Sequence, residues 1–169
     1  MPRWTLLLFL ALAGCSWESR VKRLSETEFS HYYALKPFMS EEQRKAFLTK
    51  KTEDERNAYL KQQGLWDRFY KYDDHIRKLI VDGAVQTGWT KDMVLMSWGP
   101  PFDKKKPLGR PTPRAEMLIY RFERHEDGSV LVWVPNSKTE YKATERFTRE
   151  VILDADVVSE IVERPGWWT

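Results

Sequence analysis

Few side chains here are equipped for chemistry. The 169-residue chain holds one thiol, Cys15, and three histidines. A single cysteine excludes an internal disulfide framework and any Cys-rich zinc site, and histidines at 31, 75 and 125 are too scattered to read as a metal cluster. The acid–base triplet Asp73-Asp74-His75 falls in a helical pattern. There Asp73 and His75 point about 200° apart at 3.6 residues per turn, and the adjacent Asp74 and His75 diverge as well. Unless other parts of the fold converge on it, the triplet is a solvated helix face. There is no Gly-x-Ser-x-Gly elbow, no P-loop and no zinc helix motif. The chain therefore reads as a non-enzyme, with no metal and no cofactor.

Cys15 has a different use. Met1-Pro2-Arg3 is a short positive region, and residues 4–13 are apolar. That stretch is too short for a bilayer span, which takes roughly 20 apolar residues, but it suits the core of a signal peptide. It ends in Leu12-Ala13-Gly14-Cys15, which resembles a bacterial lipobox, with small residues for the peptidase and a thiol to receive the lipid. The alternative is an ordinary secretory signal with Cys15 a bystander. Resemblance to bacterial lipoproteins implies a signal peptide over 1–14 and diacylglyceryl and N-acyl chains, such as palmitate, on Cys15. At ~0.8 kcal/mol per buried methylene, several chains anchor a protein essentially permanently. Ser16 stands where inner-membrane lipoproteins commonly carry Asp, so the resemblance implies the periplasmic face of the outer membrane.

Positioning elements follow. Residues 15–37 read as a lipid anchor and tether with a possible short helix, because Ser25-Glu26-Thr27-Glu28 is a weak capping box and Phe29, Tyr32 and Tyr33 could dock. Ser40-Glu41-Glu42-Gln43 is a cleaner box, predicting a helix to about residue 49 that buries Phe47 and Leu48. Thr52-Glu53-Asp54-Glu55 repeats the device for a helix closing near Gly64. Apolar residues at 65, 66, 69, 72, 76, 79 and 80 predict a third helix over 65–82, stopped by Gly83. A short helix follows, capped by Thr90, with Val94 and Trp98 one turn apart, Gly99 at a left-handed stop and Pro100 ending it. Residues 100–113 hold five of the nine prolines and read as an extended basic loop. Strand patterns take over at 116–124 and 129–134, around the Asp127-Gly128 turn, and at 145–153 and 157–162, around Asp154-Ala155-Asp156. The expectation is one α+β domain over 38–169, helical over 38–83, then a short helix and an antiparallel sheet of about four strands over 84–169.

Gly88-Trp89-Thr90, Val94, Trp98-Gly99 and Pro100 resemble the Gly-Met-Thr-x-x-x-Val…Leu-Gly-x-Pro signature of the BamE (SmpA/OmlA) family of outer-membrane lipoproteins, with Trp89 replacing Met and Trp98 replacing Leu. The segment Val151-Ile152-Leu153-Asp154-Ala155-Asp156-Val157-Val158-Ser159-Glu160-Ile161 resembles that family's closing hairpin, with Val157 where the family often has Gly. Residues 38–60, with Gly88-Trp89 and Gly99-Pro100-Pro101, are similar instead to envelope proteins carrying the Gly-Trp-x-Thr-Asp domain, although Thr90 follows Trp89 directly. The first resemblance implies an accessory to a complex that inserts β-barrel proteins.

Net charge is +3, without the concentrated basic surface of nucleic-acid binders. The resemblances imply as partners the membrane, through the anchor, and an envelope protein complex. Trp89 and Trp98 flank the short helix and read as core or as contacts. Trp167 and Trp168 pack back on the sheet or meet a partner or membrane, since tryptophan suits interfaces. Lys104, Lys105, Lys106 and Arg110 form a solvated connection or attract anionic headgroups. A flat aromatic patch would favour the accessory role, a deep apolar pocket a carrier, and convergent titratable groups a hydrolase. Cys15→Ser should leave an unprocessed precursor without acyl chains. Cleavage and fatty-acid labelling of that variant would refute the lipoprotein assignment.

Overall fold

Helix boundaries in this protein are set by side chains that replace missing backbone partners. The computed structural model describes residues 17–109, 113–135 and 143–167. Among these, α1 (Trp17–Val21), α2 (Glu26–Leu35), a 3₁₀ turn (Lys36–Phe38), α3 (Glu41–Thr49), α4 (Glu53–Gln62), α5 (Trp66–Tyr70), α6 (Asp74–Val81) and α7 (Lys91–Trp98) precede all strands. Ser25, Ser40, Thr52, Asp73 and Thr90 each accept a backbone N–H in the first turn of the helix they open. At Ser25 and Ser40 the capping box is complete in both directions.

Two helical expectations are corrected. The tether over 15–37 does not extend that far, because α2 is part of the core: Tyr32, Ala34 and Leu35 are buried. The expected helix over 65–82 is two helices, since the Asp73 carboxylate takes the Ile76 amide at 2.8 Å and starts α6. An aspartate that caps so well favours a break over a continuous helix.

The sheet contains β1 (Asp103–Lys105), β2 (Ala115–His125), β3 (Val130–Val132), β4 (Ala143–Asp154) and β5 (Val157–Pro165), all antiparallel. It has five strands, not four, and the extra one lies in the segment expected to be loop. Its order is β1-β2-β4-β5, with β3 pairing β2 beyond β1. β2 pairs β4 from Ala115↔Asp154 to His125↔Ala143, which leaves β1 and β3 to share its other edge. Ala155 (φ 48°) and Asp156 (φ 66°) are both left-handed, the geometry of a two-residue hairpin turn that matches strand twist. The β4–β5 pairing thus closes without a glycine.

One core joins the halves. Leu118, Tyr120 and Phe122 of β2, with Phe147, Val151 and Leu153 of β4, belong to one hydrophobic cluster that also takes residues from every described helix. Gly99 ends α7 at φ 73° and ψ −162°, not in the left-handed helical region the sequence suggests but in one essentially reserved for glycine. A Cβ there would meet nothing within 4 Å, so a side chain adds backbone strain alone. Gly99→Ala should therefore destabilise by about 1–3 kcal/mol, read from the denaturant midpoint. An unchanged midpoint would mean that this helix end is not held in that conformation.

Candidate functional site

Trp89 and Trp98 are 4% and 7% exposed, so of the two readings open to them the structure takes the core one. Lys104 and Lys105 lie on edge strand β1, and Lys106 just beyond it is exposed too. Cys15, Arg110 and Trp168 lie outside the described residues, as does the signal segment 1–14. Trp167 packs back on the sheet, its Nε1 donating to the Phe122 carbonyl at 3.1 Å.

Trp167 is not there alone. β1 pairs β2 up to Ile119, and β3 pairs it from Phe122 on, so Phe102 and Trp133 converge on the intervening Arg121. The Phe102 amide donates to the Ile119 carbonyl and the Trp133 amide to the Arg121 carbonyl, both at 2.8 Å. The Arg121 guanidinium lies 3.5 Å from the Phe102 ring, 5.4 Å from Trp167 and 5.6 Å from Trp133. Its Nε is buried without an acceptor, so the rings supply what hydrogen bonding does not. Trp133 and Trp167 stand 5.1 Å apart, and Arg146 covers Trp167 at 4.7 Å while pairing with the buried Glu123. Phe102, Leu131 and Val134 remain exposed around this cluster. Such a surface offers stacking faces and apolar area.

A shallow groove of about 400 Å³ lies where α2, α5 and α6 meet, lined by His31, Tyr70, Arg77 and Lys78 among others. His31 is 3% exposed and shares a hydrogen bond through Nε2 with the Tyr70 hydroxyl, while Nδ1 has no partner. Trp66, Phe69 and Tyr70 meet the imidazole edge-on at 5.6, 5.8 and 5.2 Å. Burial pushes the His31 pKa below its ordinary value; nearby Glu28 opposes this and Arg77 adds to it. Among the described residues, no group of three His, Cys, Asp or Glu side chains is placed to hold a metal ion, and no helix is long and apolar enough to cross a membrane.

No family model, curated protein or solved structure matches this chain. The cluster around Arg121 went unforeseen because its rings come from positions 102, 133 and 167, which only strand pairing brings together. His31 likewise gains meaning from Tyr70, 39 residues away. The available signal was an arginine inside an alternating strand, at a position facing away from Tyr120 and Phe122.

The state of His31 has a consequence for stability. The unfolded chain takes up this proton near 6.5 and the native state only at lower pH, so the contribution is full above pH 6.5 and is lost as pH falls toward the native value. The loss is about 1.4 kcal/mol for each pH unit between the two values. Unfolding free energy should therefore decline as pH drops below 6.5, before carboxylates titrate, and His31→Phe should flatten that slope. A wild-type profile flat across that range would contradict a buried neutral imidazole.

Proposed function

We propose that this chain is a lipid-anchored protein of the bacterial outer membrane that faces the periplasm. It works there as a non-catalytic accessory in β-barrel assembly or envelope maintenance. The Leu12-Ala13-Gly14-Cys15 segment supports the anchor, with the only thiol of the chain at the acceptor position. The likeness of residues 88–100 and 151–161 to the BamE family supports the assembly role. These two segments meet in the fold, where the N-terminal end of α7 docks on the β4–β5 turn through hydrogen bonds between Lys91 and Asp156 and between Trp89 and Val158.

The observation that carries the accessory reading is the aromatic surface of Phe102, Trp133 and Trp167 around Arg121, beside the exposed lysines of β1. Rigid aromatic side chains and arginine dominate protein interfaces, because they offer large contact area at small entropic cost. The groove at His31 is shallow and ringed by charged side chains, including Glu26, Arg77, Lys78 and Asp82. It suits a carrier of apolar cargo poorly. Its imidazole already bonds Tyr70, which makes it a weak basis for hydrolysis.

The test is recovery of partners from crosslinked envelopes. Trp133→Ala combined with Phe102→Ala should lower copurification of an outer-membrane protein complex by about tenfold or more, the effect of losing an interface hot spot. Thermal midpoints measured alongside normalise recovery to folded protein. Unchanged recovery per folded molecule would remove this surface from the interface and the accessory reading with it.

A further inference from the structure

The helical half gathers positive charge at one place. Where α1, the end of α3 and the start of α4 meet, a pocket of about 340 Å³ has seven lining residues, five of them basic: Arg20, Arg23, Lys50, Lys51 and Arg56. Arg56 is the fixed element, its side chain 12% exposed and paired with the buried Glu28. Its Nη1 donates to the Lys50 carbonyl at 2.7 Å and so holds the turn that carries both lysines. Glu28 in turn accepts the Ser25 amide at 2.9 Å. Arg56, half-buried in the lining, is thus held from behind by the buried Glu28.

The other cations are offset only in part, Lys50 and Lys51 acting on the Glu55 carboxylate from beyond ion-pair distance. Among the described residues, none of the ion pairs involves Arg20, Arg23, Lys50 or Lys51. The Glu55 carboxylate accepts the Lys51 amide at 2.8 Å and makes no hydrogen bond to either lysine head group. Lys50 lies 5.6 Å from the Tyr59 ring. Like charges held around a recess repel one another, and an anion placed among them relieves this. Arginine forks and lysine ammonium groups together are the usual means of holding phosphate oxygens.

We propose that this pocket binds the phosphate of an anionic membrane-lipid headgroup. The choice of lipid over soluble phosphate rests on the anchored reading above. Arg20 and Arg23 follow Cys15 by only five and eight residues. The chain from Cys15 to the start of α1 at Trp17 spans at most about 7 Å. An acylated Cys15 thus holds the pocket at the bilayer surface, where headgroup phosphates are present at high effective concentration.

The experiment uses the full chain, isotope-labelled and purified in a non-ionic detergent, with amide shifts followed by NMR. Dihexanoyl phosphatidic acid should cause saturable shifts at 49–51 that weaken with added salt. Dihexanoyl phosphatidylcholine should cause much smaller ones. Lys50→Gln with Lys51→Gln should weaken phosphatidic acid binding by about tenfold or more, whereas Lys61→Gln with Lys71→Gln, two exposed lysines outside the pocket lining, should leave it unchanged. Absence of saturation, or equal affinity in the pocket variant, overturns the proposal. Inorganic phosphate binding as tightly as phosphatidic acid overturns the lipid source and leaves a soluble-phosphate site. The mass of the same sample reports acylation separately. A bound headgroup on unacylated protein refutes the anchor and keeps the pocket, and an acylated protein that binds none refutes the pocket alone.

Discussion

The indole of Trp98 ties the helical half of this protein to its sheet. Its Nε1 donates to the Gly83 carbonyl at 2.9 Å, just past α6, and its ring meets Tyr120 and Phe122 edge-on at 5.2 and 5.0 Å. A Cβ at Gly83 would lie 3.5 Å from that nitrogen, and its φ of +73° disfavours any side chain there. Packing outweighs the hydrogen bond in this contact. Truncating a buried tryptophan generally costs about 3–5 kcal/mol, against about 1 kcal/mol for a typical hydrogen bond. The end of α7 is fixed as a result, and the Gly99 carbonyl accepts the Tyr120 hydroxyl at 3.0 Å. Burial pushes that phenol far above its usual range, so it stays a donor at any physiological pH.

The other end of α7 is fixed by backbone. The Gly88 amide donates to Val158 at 2.8 Å, the Val158 amide to Trp89 at 2.7 Å, and the Lys91 amide to Asp156 at 2.8 Å. The Lys91 ammonium then pairs with Glu116 and brings β2 into the same joint. The short helix with its two tryptophans is thus the connection around which both halves fold, and its side chains are committed to that. Trp89 and Trp98 are buried in that joint, unlike the rings around Arg121, of which Phe102 is exposed and Trp133 and Trp167 are half-buried.

What could be read from the sequence was whatever local chemistry decides. The caps at Ser25, Ser40, Thr52 and Thr90 announce their helices, because a short polar side chain before an acidic turn has few better uses. The alternating strands and acidic turn were legible for the same reason. The break at Asp73 was not, since an apolar period of 3.6 survived across two helices that pack on one core. β1 was hidden by prolines on either side of three polar residues, and it exists only because β2 offers an unpaired edge. α2 misled most, because Glu28 and His31 look like surface residues until Arg56 and Tyr70 are in place. Burial raises the Glu28 carboxyl, yet hydrogen bonds from Arg56 and the Ser25 amide outweigh this and hold it below the ordinary range. Likewise, tryptophan at a chain end and a basic run flagged one edge of the sheet, but Arg121, the cation they surround, carries no local signature.

Capture of α2 by the core changes how an anchored protein would act. A leash of about 20 residues would let the domain roam some 25 Å from its attachment. With α2 buried and Val21 of α1 only 9% exposed, no such leash remains between the described helices and the domain. The Glu28–Arg56 pair is central to this. Desolvating two charges is seldom favourable by itself, but breaking such a pair generally costs about 3–5 kcal/mol because one charge is left buried alone. The pair therefore locks α2 to α4 more than it stabilises either helix. A chain anchored ahead of α1, as proposed, would carry the surface of Phe102, Trp133 and Trp167 on a short attachment, and a partner would have to come to it.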